Sequence, residues 1–232
     1  MRLKPYNWFY NRHKMDTAVV LLNGPSLGMV PLDWMSRYIT FGGNKIYETY
    51  SPSYYVNNGS THFSDSLSVE KIMVMMSRED HLASFLNRLA IQVFPHTKAY
   101  SIISSDAYPD YTPEQAYGFS FDPLVTIGVK GSVLYPMLQI IYYMGFKKVR
   151  LLGFDYNYVE GNPHFYPEDE LDREDPPPGK YYDHDNEKWR AINDVILEAC
   201  RDIYEEDGRE IVNWTQDSMC DVFRREDPPW QG

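Results

Sequence analysis

Two turns far apart in the chain carry residue types suited to holding an anion or a nucleotide. One is Asn23-Gly24-Pro25-Ser26-Leu27, directly after the apolar run 17–22. The other is Gly128-Val129-Lys130-Gly131-Ser132, directly before the apolar helical pattern of 133–144. Small residues at a strand end or helix start let backbone N–H groups approach a ligand. The free N–H groups and positive dipole end of a helix start stabilise phosphate or carboxylate. Ser132 also suits simple capping of the helix it precedes, and the two roles are compatible. Neither turn follows Gly-x-x-x-x-Gly-Lys-Ser/Thr or Gly-x-Gly-x-x-Gly, so neither P-loop ATP binding nor a standard NAD site is expected.

Asparagines recur at matching places. Asn23 follows the run 17–22, Asn44 follows 38–41 through Gly42-Gly43, and Asn57-Asn58 follow 53–56. In a parallel sheet such strand ends share one edge. An Asn amide both donates and accepts, which suits a base edge or ribose hydroxyls, although Asn also simply tolerates turn geometry. Two histidines flank a long loop: His164 in Asn162-Pro163-His164-Phe165-Tyr166, and His184 in Tyr181-Tyr182-Asp183-His184-Asp185, ahead of a helical pattern. A His among acids keeps a pKa useful for taking a proton from a hydroxyl nucleophile, and a solvated surface His would look the same. Asp183 and Asp185 form a short Asp-x-Asp pattern of the kind that can hold a divalent ion against a diphosphate.

The elements that must position these groups are legible as hydrophobic runs. Residues 17–22, 38–41, 53–56, 71–76, 98–103, 148–152 and 210–214 read as strands, several apolar without alternation and so buried on both faces. Helical spacing covers 78–88, 133–144 (closed by Gly145, with Pro136 in its first turn) and 186–206, and Pro25-Ser26 suit a short helix start. Residues 104–123 read as a loop over the site and 158–182 as a long mobile insertion. The expectation is an α/β, Rossmann-like, mostly parallel sheet with helices on both faces. It forms one domain over 17–223, with an extension at 1–16 and a tail at 224–232.

With 232 residues, 43% of them hydrophobic, the chain can bury one full core. A net charge of −11 repels phosphate backbones, so nucleic acid is excluded as a general partner. Twenty Tyr provide flat faces with hydroxyls for a sugar or a base. Cys200 and Cys220 are too few for a disulfide framework, and a reducing, cytoplasmic setting is expected. No apolar run reaches the roughly 18 residues of a transmembrane helix, and the N-terminus lacks a signal-peptide pattern. Membrane contact would be peripheral. A homo-oligomer is left open.

The turn Asn23-Gly24-Pro25-Ser26-Leu27 resembles the nucleotide turn of bacterial lipooligosaccharide sialyltransferases. The block from Gly128-Val129-Lys130-Gly131-Ser132 to Gly153-Phe154-Asp155-Tyr156 resembles their second signature, a Ser-Gly helix followed by a strand ending in Gly-x-Asp. It is equally similar to the pterin-pyrophosphokinase-like (MptE-like) group. The first resemblance implies a modified Rossmann domain that transfers sialic acid from CMP-sialic acid to a sugar hydroxyl, needs no metal, and takes a nucleotide donor and a sugar acceptor as partners. It implies CMP contacts from Asn23, Gly24, Pro25 and Ser26. Ribose or cytosine contacts fall to Asn44 and Asn57 or Asn58, and donor phosphate or carboxylate contacts to Gly131 and Ser132. Asp155 belongs to the second signature. His184 matches the family's catalytic His in lying just before a helix, and Tyr156, Tyr181 and Tyr182 stand for the Tyr that support the departing phosphate. The chain departs from that pattern in having Lys130-Gly131-Ser132 where Thr-Ser-Gly is usual. The alternative implied by the second resemblance is a pyrophosphokinase using ATP and Mg²⁺. Its Asp-rich motif is replaced here by Tyr54-Tyr55-Val56-Asn57-Asn58-Gly59-Ser60, which has no acid. A non-catalytic nucleotide-binding protein on the same fold is the third reading.

Overall fold

The computed structural model describes residues 9–57, 70–76, 99–104, 118–123, 127–128, 132–157, 164–166 and 186–231. Their strands are β1 (Thr17–Leu21), β2 (Ile39–Gly42), β3 (Tyr54–Asn57), β4 (Glu70–Met76), β5 (Ala99–Ser104), β6 (Lys148–Leu152), β7 (Glu210–Asn213) and β8 (Arg224–Arg225). They form one sheet in the order β5-β4-β3-β2-β1-β6-β7-β8. Every pairing is parallel, with β1 in register against β2 (Val20 opposite Phe41) and β6 (Val20 opposite Leu151). The chain winds outward from β1 in one direction, then returns to β6 on its other side. That reversal is a topological switch point, where open parallel sheets receive ligands at the carboxyl ends of their strands.

The unbroken apolar strands arise because both faces are covered. Ala18 and Val20 of β1, Phe41, Tyr54, Val56, Val149, Leu151 and Ile211 point into one core with α1 (Leu134–Tyr143) and α2 (Asn186–Glu206). Val19 and Leu21 of β1, with Tyr55, Leu152 and Val212, point into a second. On that second face the described helical segments are short 3₁₀ turns, Pro25–Met29, Leu32–Arg37 and Asn44–Glu48, which contribute Leu27, Met35 and Ile46. Pro25 at the first position and Pro31 before the second turn favour such short starts. The helix expected at 78–88, most of the loop at 104–123 and nearly all of the insertion at 158–182 lie outside the described residues. Among the described residues no helix is long and apolar enough to cross a membrane.

Helix α1 ends as its sequence demands. Gly145 has φ +90°, its N–H meets the Tyr142 carbonyl (3.0 Å), and the Phe146 N–H reaches back to Ile141 (3.4 Å). Tyr204 donates to the Leu138 carbonyl at 2.6 Å and ties α2 to α1. Burial raises the thiol of Cys200 well above its ordinary value and pushes that of Cys220 up to about 11, so neither is a reactive thiolate near neutral pH.

The two chain ends are more integrated than the sequence suggests. In the extension, Phe9 is fully buried, and His13 stacks on Phe146 at 4.7 Å while hydrogen-bonding the Tyr54 hydroxyl at 2.7 Å. In the tail, Arg224–Arg225 pairs with β7, and Trp230 packs against Trp34 and Trp214 at 5.9 and 5.8 Å. A two-residue, solvent-facing strand of arginines has no hydrophobic signature. Only its backbone pairing reveals it.

Candidate functional site

The site begins where β1 and β6 end side by side. Leu22 N–H donates to the Leu152 carbonyl (2.8 Å) and Gly24 N–H to the Gly153 carbonyl (3.0 Å), so the sheet ladder runs on into the two turns. The approach is too close for side chains. A Cβ on Gly24 would run into the Asp155 carboxylate and lie 2.6 Å from the Gly153 carbonyl. One on Gly153, whose φ is +65°, would run into the Leu22 carbonyl. Asp155 accepts from the Ser26 hydroxyl at 2.7 Å and the Ser26 N–H at 3.2 Å. The Ser26 groups expected to meet a ligand are thus engaged by Asp155, which locks one turn onto the other.

Asn23 behaves differently. It is 7% exposed, and its Nδ2 donates to the Gly43 carbonyl at 3.1 Å. Its backbone carbonyl accepts from Phe165 N–H at 3.0 Å. Its Oδ1 is sealed from solvent and has no partner. A buried acceptor left unpaired costs about 1–3 kcal/mol, so this atom calls for a donor from a ligand or a water.

Gly43 connects Asn23 to the start of α1. A Cβ there would lie 2.6 Å from the Val56 carbonyl, 2.8 Å from Met137 and 3.3 Å from Val133, at the start of α1. The first turn and the start of α1, which Ser132 precedes, therefore lie at one edge, with Gly43 between them. Ser132 stands one residue before the N-cap position of α1, Val133, and closes the turn that leads into the helix: its hydroxyl accepts from Leu134 N–H at 3.2 Å and its carbonyl from Tyr135 N–H at 3.1 Å. The buried Gln139 amide fastens the approach to that turn. Its Oε1 accepts from the Ser120 and Gly128 N–H groups, both at 3.0 Å, and its Nε2 donates to the Gly128 carbonyl at 2.9 Å.

Asn44 sits at the same edge with a left-handed φ of +52°, a conformation Asn tolerates, and its carbonyl accepts from the Tyr55 hydroxyl at 2.7 Å. Burial, then the neighbouring Tyr47 and Tyr166, hold that phenol far above its ordinary range, so it remains a donor. Lys45 is only 4% exposed, with its ammonium 5.3 Å from the centre of the Tyr166 ring, and Tyr166 stacks on His164 at 4.9 Å. Sequence reasoning passed over Lys45 and Tyr166. A lysine after a strand is ordinarily exposed, so no local pattern marks this one.

Tyr156 follows β6 with a φ of +56° and is 6% exposed. Its hydroxyl donates to Asp194 Oδ1 at 2.9 Å and lies 3.3 Å from the Arg190 carbonyl, turned toward α2 rather than free for a phosphate. Asn57 is the last residue of β3, and only its backbone is described. Asn58, Gly131, Tyr181, Tyr182, His184 and the Asp183/Asp185 pair lie outside the described residues. The structure thus brings Asn23, Gly24, Pro25, Ser26, Asn44 and Asp155 together, with Ser132 adjoining through Val133.

Two sialyltransferases of Campylobacter jejuni share this fold. CstII, solved in complex with the substrate analogue cytidine-5'-monophosphate, aligns with a TM-score of 0.50 at 16% identity, over 93% of this chain and 86% of its own. The monofunctional alpha-2,3-sialyltransferase Cst-I aligns with a TM-score of 0.51 at 16% identity, over 94% of this chain and 80% of its own. The MAf glycosyltransferase of Magnetospirillum magneticum AMB-1 gives a TM-score of 0.48 at 12% identity, over 94% of this chain and 34% of its own. No protein family and no curated protein matches the chain in sequence. At such identity the likeness is one of fold, and it is the fold expected from the two sequence signatures.

Proposed function

We propose that this chain is a glycosyltransferase of the sialyltransferase type, taking a nucleotide-activated sugar, CMP-sialic acid first, and a sugar hydroxyl as acceptor. The observation that carries the reading is the orphaned Oδ1 of Asn23, a buried residue at the switch point beside Gly43 and the start of α1. A buried amide that lacks a donor suits a nucleoside hydroxyl or an exocyclic amine. The shared fold with CstII, a protein solved with cytidine-5'-monophosphate, supports cytidine as the first nucleoside to try.

In this reading Asn23 and Asn44, with Asn57 or Asn58, hold the nucleoside, while Gly24, Pro25, Ser26 and Asp155 form the rigid floor beneath it. The phosphate is assigned to Gly131, Ser132, Tyr181 and Tyr182. Tyr156 positions α2 through Asp194. His184 takes the proton of the acceptor hydroxyl as that oxygen attacks the anomeric carbon. The bond from that carbon to the phosphate oxygen breaks, CMP departs with the electron pair, and the anomeric configuration inverts. No metal is required for these steps.

The test is a thermal-shift series with CMP, CDP, UDP, GDP, AMP and ATP, with and without Mg²⁺, followed by donor assays. A ligand that binds the folded state alone raises the melting temperature by linkage. Stabilisation by CMP or CDP that ignores metal, with sugar transfer lowered by about 10²-fold or more in His184→Ala, is expected. Stabilisation by ATP with Mg²⁺ alone would replace this reading with the pyrophosphokinase. Tight nucleotide binding without turnover of any donor would leave a binding protein.

A further inference from the structure

Arg190, near the start of α2, is built unlike the other described arginines. Arg150, Arg201, Arg209, Arg224 and Arg225 each face a carboxylate. Arg12 and Arg37 lie over aromatic rings. The Arg190 Nε–H is sealed from solvent and has no acceptor. Its Nη2 meets the Met219 sulfur at 3.8 Å, a weak acceptor. Among the described residues no carboxylate lies within ion-pair distance. Asp194, one turn further along the helix, instead accepts from the Tyr156 hydroxyl, which also reaches the Arg190 carbonyl.

The side chain stands beside the site. Met219 N–H donates to the Asp155 carbonyl at 2.8 Å, and the Asp155 carboxylate holds Ser26. Arg190, Met219, Asp155 and Ser26 thus form one run of contacts to the junction of β1 and β6. A guanidinium presents Nε–H and Nη–H as a planar fork that matches two oxygens of one anion. An unpaired buried N–H is costly until such an anion arrives.

We propose that Arg190 is the counter-cation for the phosphate of the bound nucleotide. This rests on the nucleotide reading above and adds to it a recognition element that neither sequence signature contains. The test compares the wild-type protein with Arg190→Gln and Arg190→Lys, titrated with CMP, with cytidine and with inorganic phosphate. The ¹⁵Nε–¹H signal of Arg190 is followed in the wild type. CMP affinity is expected to fall at least tenfold in Arg190→Gln and less in Arg190→Lys, with cytidine affinity unchanged and the Nε–H signal shifted by CMP but not by cytidine. An unchanged CMP affinity, or equal losses for CMP and cytidine, would overturn the assignment. If the wild type binds neither CMP nor cytidine, the nucleotide reading fails and the phosphate arm decides alone. A phosphate-induced shift of the Nε–H signal keeps Arg190 as an anion site, and no shift removes it. Because that signal is read in the wild type, it decides the matter even if a variant does not fold.

Discussion

The two edges of the parallel sheet are finished in opposite ways. At the edge where strands begin, polar groups find partners within the protein. Arg209 donates to the carbonyls of Tyr142 (2.7 Å) and Phe146 (3.2 Å), pairs with Asp207, and lies 3.7 Å from the centre of the Tyr142 ring. His13 bridges Asp16 and the Tyr54 hydroxyl. At the edge where strands end, Asn23 Oδ1 (after β1), Asn213 Nδ2 (the last residue of β7) and Arg190 Nε (the start of α2) are buried and unpaired. All three orphaned atoms found among the described residues lie at this edge. One edge is therefore arranged for stability, and the other keeps hydrogen-bonding capacity in reserve, as a binding site must.

That contrast can be broken by mutation. The largest expected effect is at the floor of the site. Gly153→Ala forces a left-handed φ on a residue whose new methyl meets a backbone carbonyl, and should cost about 2–4 kcal/mol in urea or thermal unfolding. A cost below about 0.5 kcal/mol would mean that the β1–β6 junction is looser than described.

Arg209→Ala comes next, as the probe of the opposite edge. Loss of a half-buried cation from the carbonyl end of α1 should destabilise by about 1–3 kcal/mol and leave CMP affinity unchanged. A matching loss of nucleotide binding would dissolve the distinction between the edges.

Asn23→Ala should do the reverse. It removes one hydrogen bond and one orphaned acceptor together, so stability should move by about 1 kcal/mol or less while CMP binding weakens tenfold or more. If calorimetry finds CMP affinity intact, the orphan is a packing accident.

The smallest effect concerns acid. Hydrogen bonding to Arg150 lowers the pKa of Glu210 below its ordinary 4.5, and hydrogen bonding to Arg209 lowers that of Asp207 below 3.8. Carboxylates depressed in the fold contribute stability that is complete above their unfolded values and lost as pH falls through the folded ones. Melting temperature should therefore be flat above about pH 5 with respect to these groups and decline below pH 4.5, less steeply in Glu210→Gln. Both carboxylates are substantially exposed, so the slope should be shallow and weaken further in salt.

The strands were readable because burial on both faces requires continuous apolar residues: 148–152 was expected and Lys148–Leu152 is found, and 17–22 became Thr17–Leu21. Even so, Arg150 within β6 is 8% exposed in the second face, paired with Glu210 and 5.7 Å from the Trp214 ring centre, a fit that depends on a strand sixty residues away. The turns were readable through Gly, Pro and Asn, which announce backbone conformations that other residues resist. What Asp155 does was not readable, because its contact with Ser26 spans 129 residues and no local rule couples them. The same holds for Tyr156, read as a phosphate ligand but hydrogen-bonded 38 residues on to Asp194.

Local chemistry thus determined by itself the alternation of strand and helix, the parallel sheet, the termini of α1 and the two turns with chemistry in them. Each follows from hydrophobic periodicity or from one residue's conformational freedom, which act over a few positions. Only the tertiary structure decided which polar groups at the site are satisfied from within and which are left open. It closed Ser26 with Asp155, seated Lys45 under Tyr166, drew the C-terminal tail into the sheet, and left Asn23 and Arg190 with unmet hydrogen bonds. Satisfaction of a buried polar atom depends on every segment packed around it, and those segments come together only when the chain has folded.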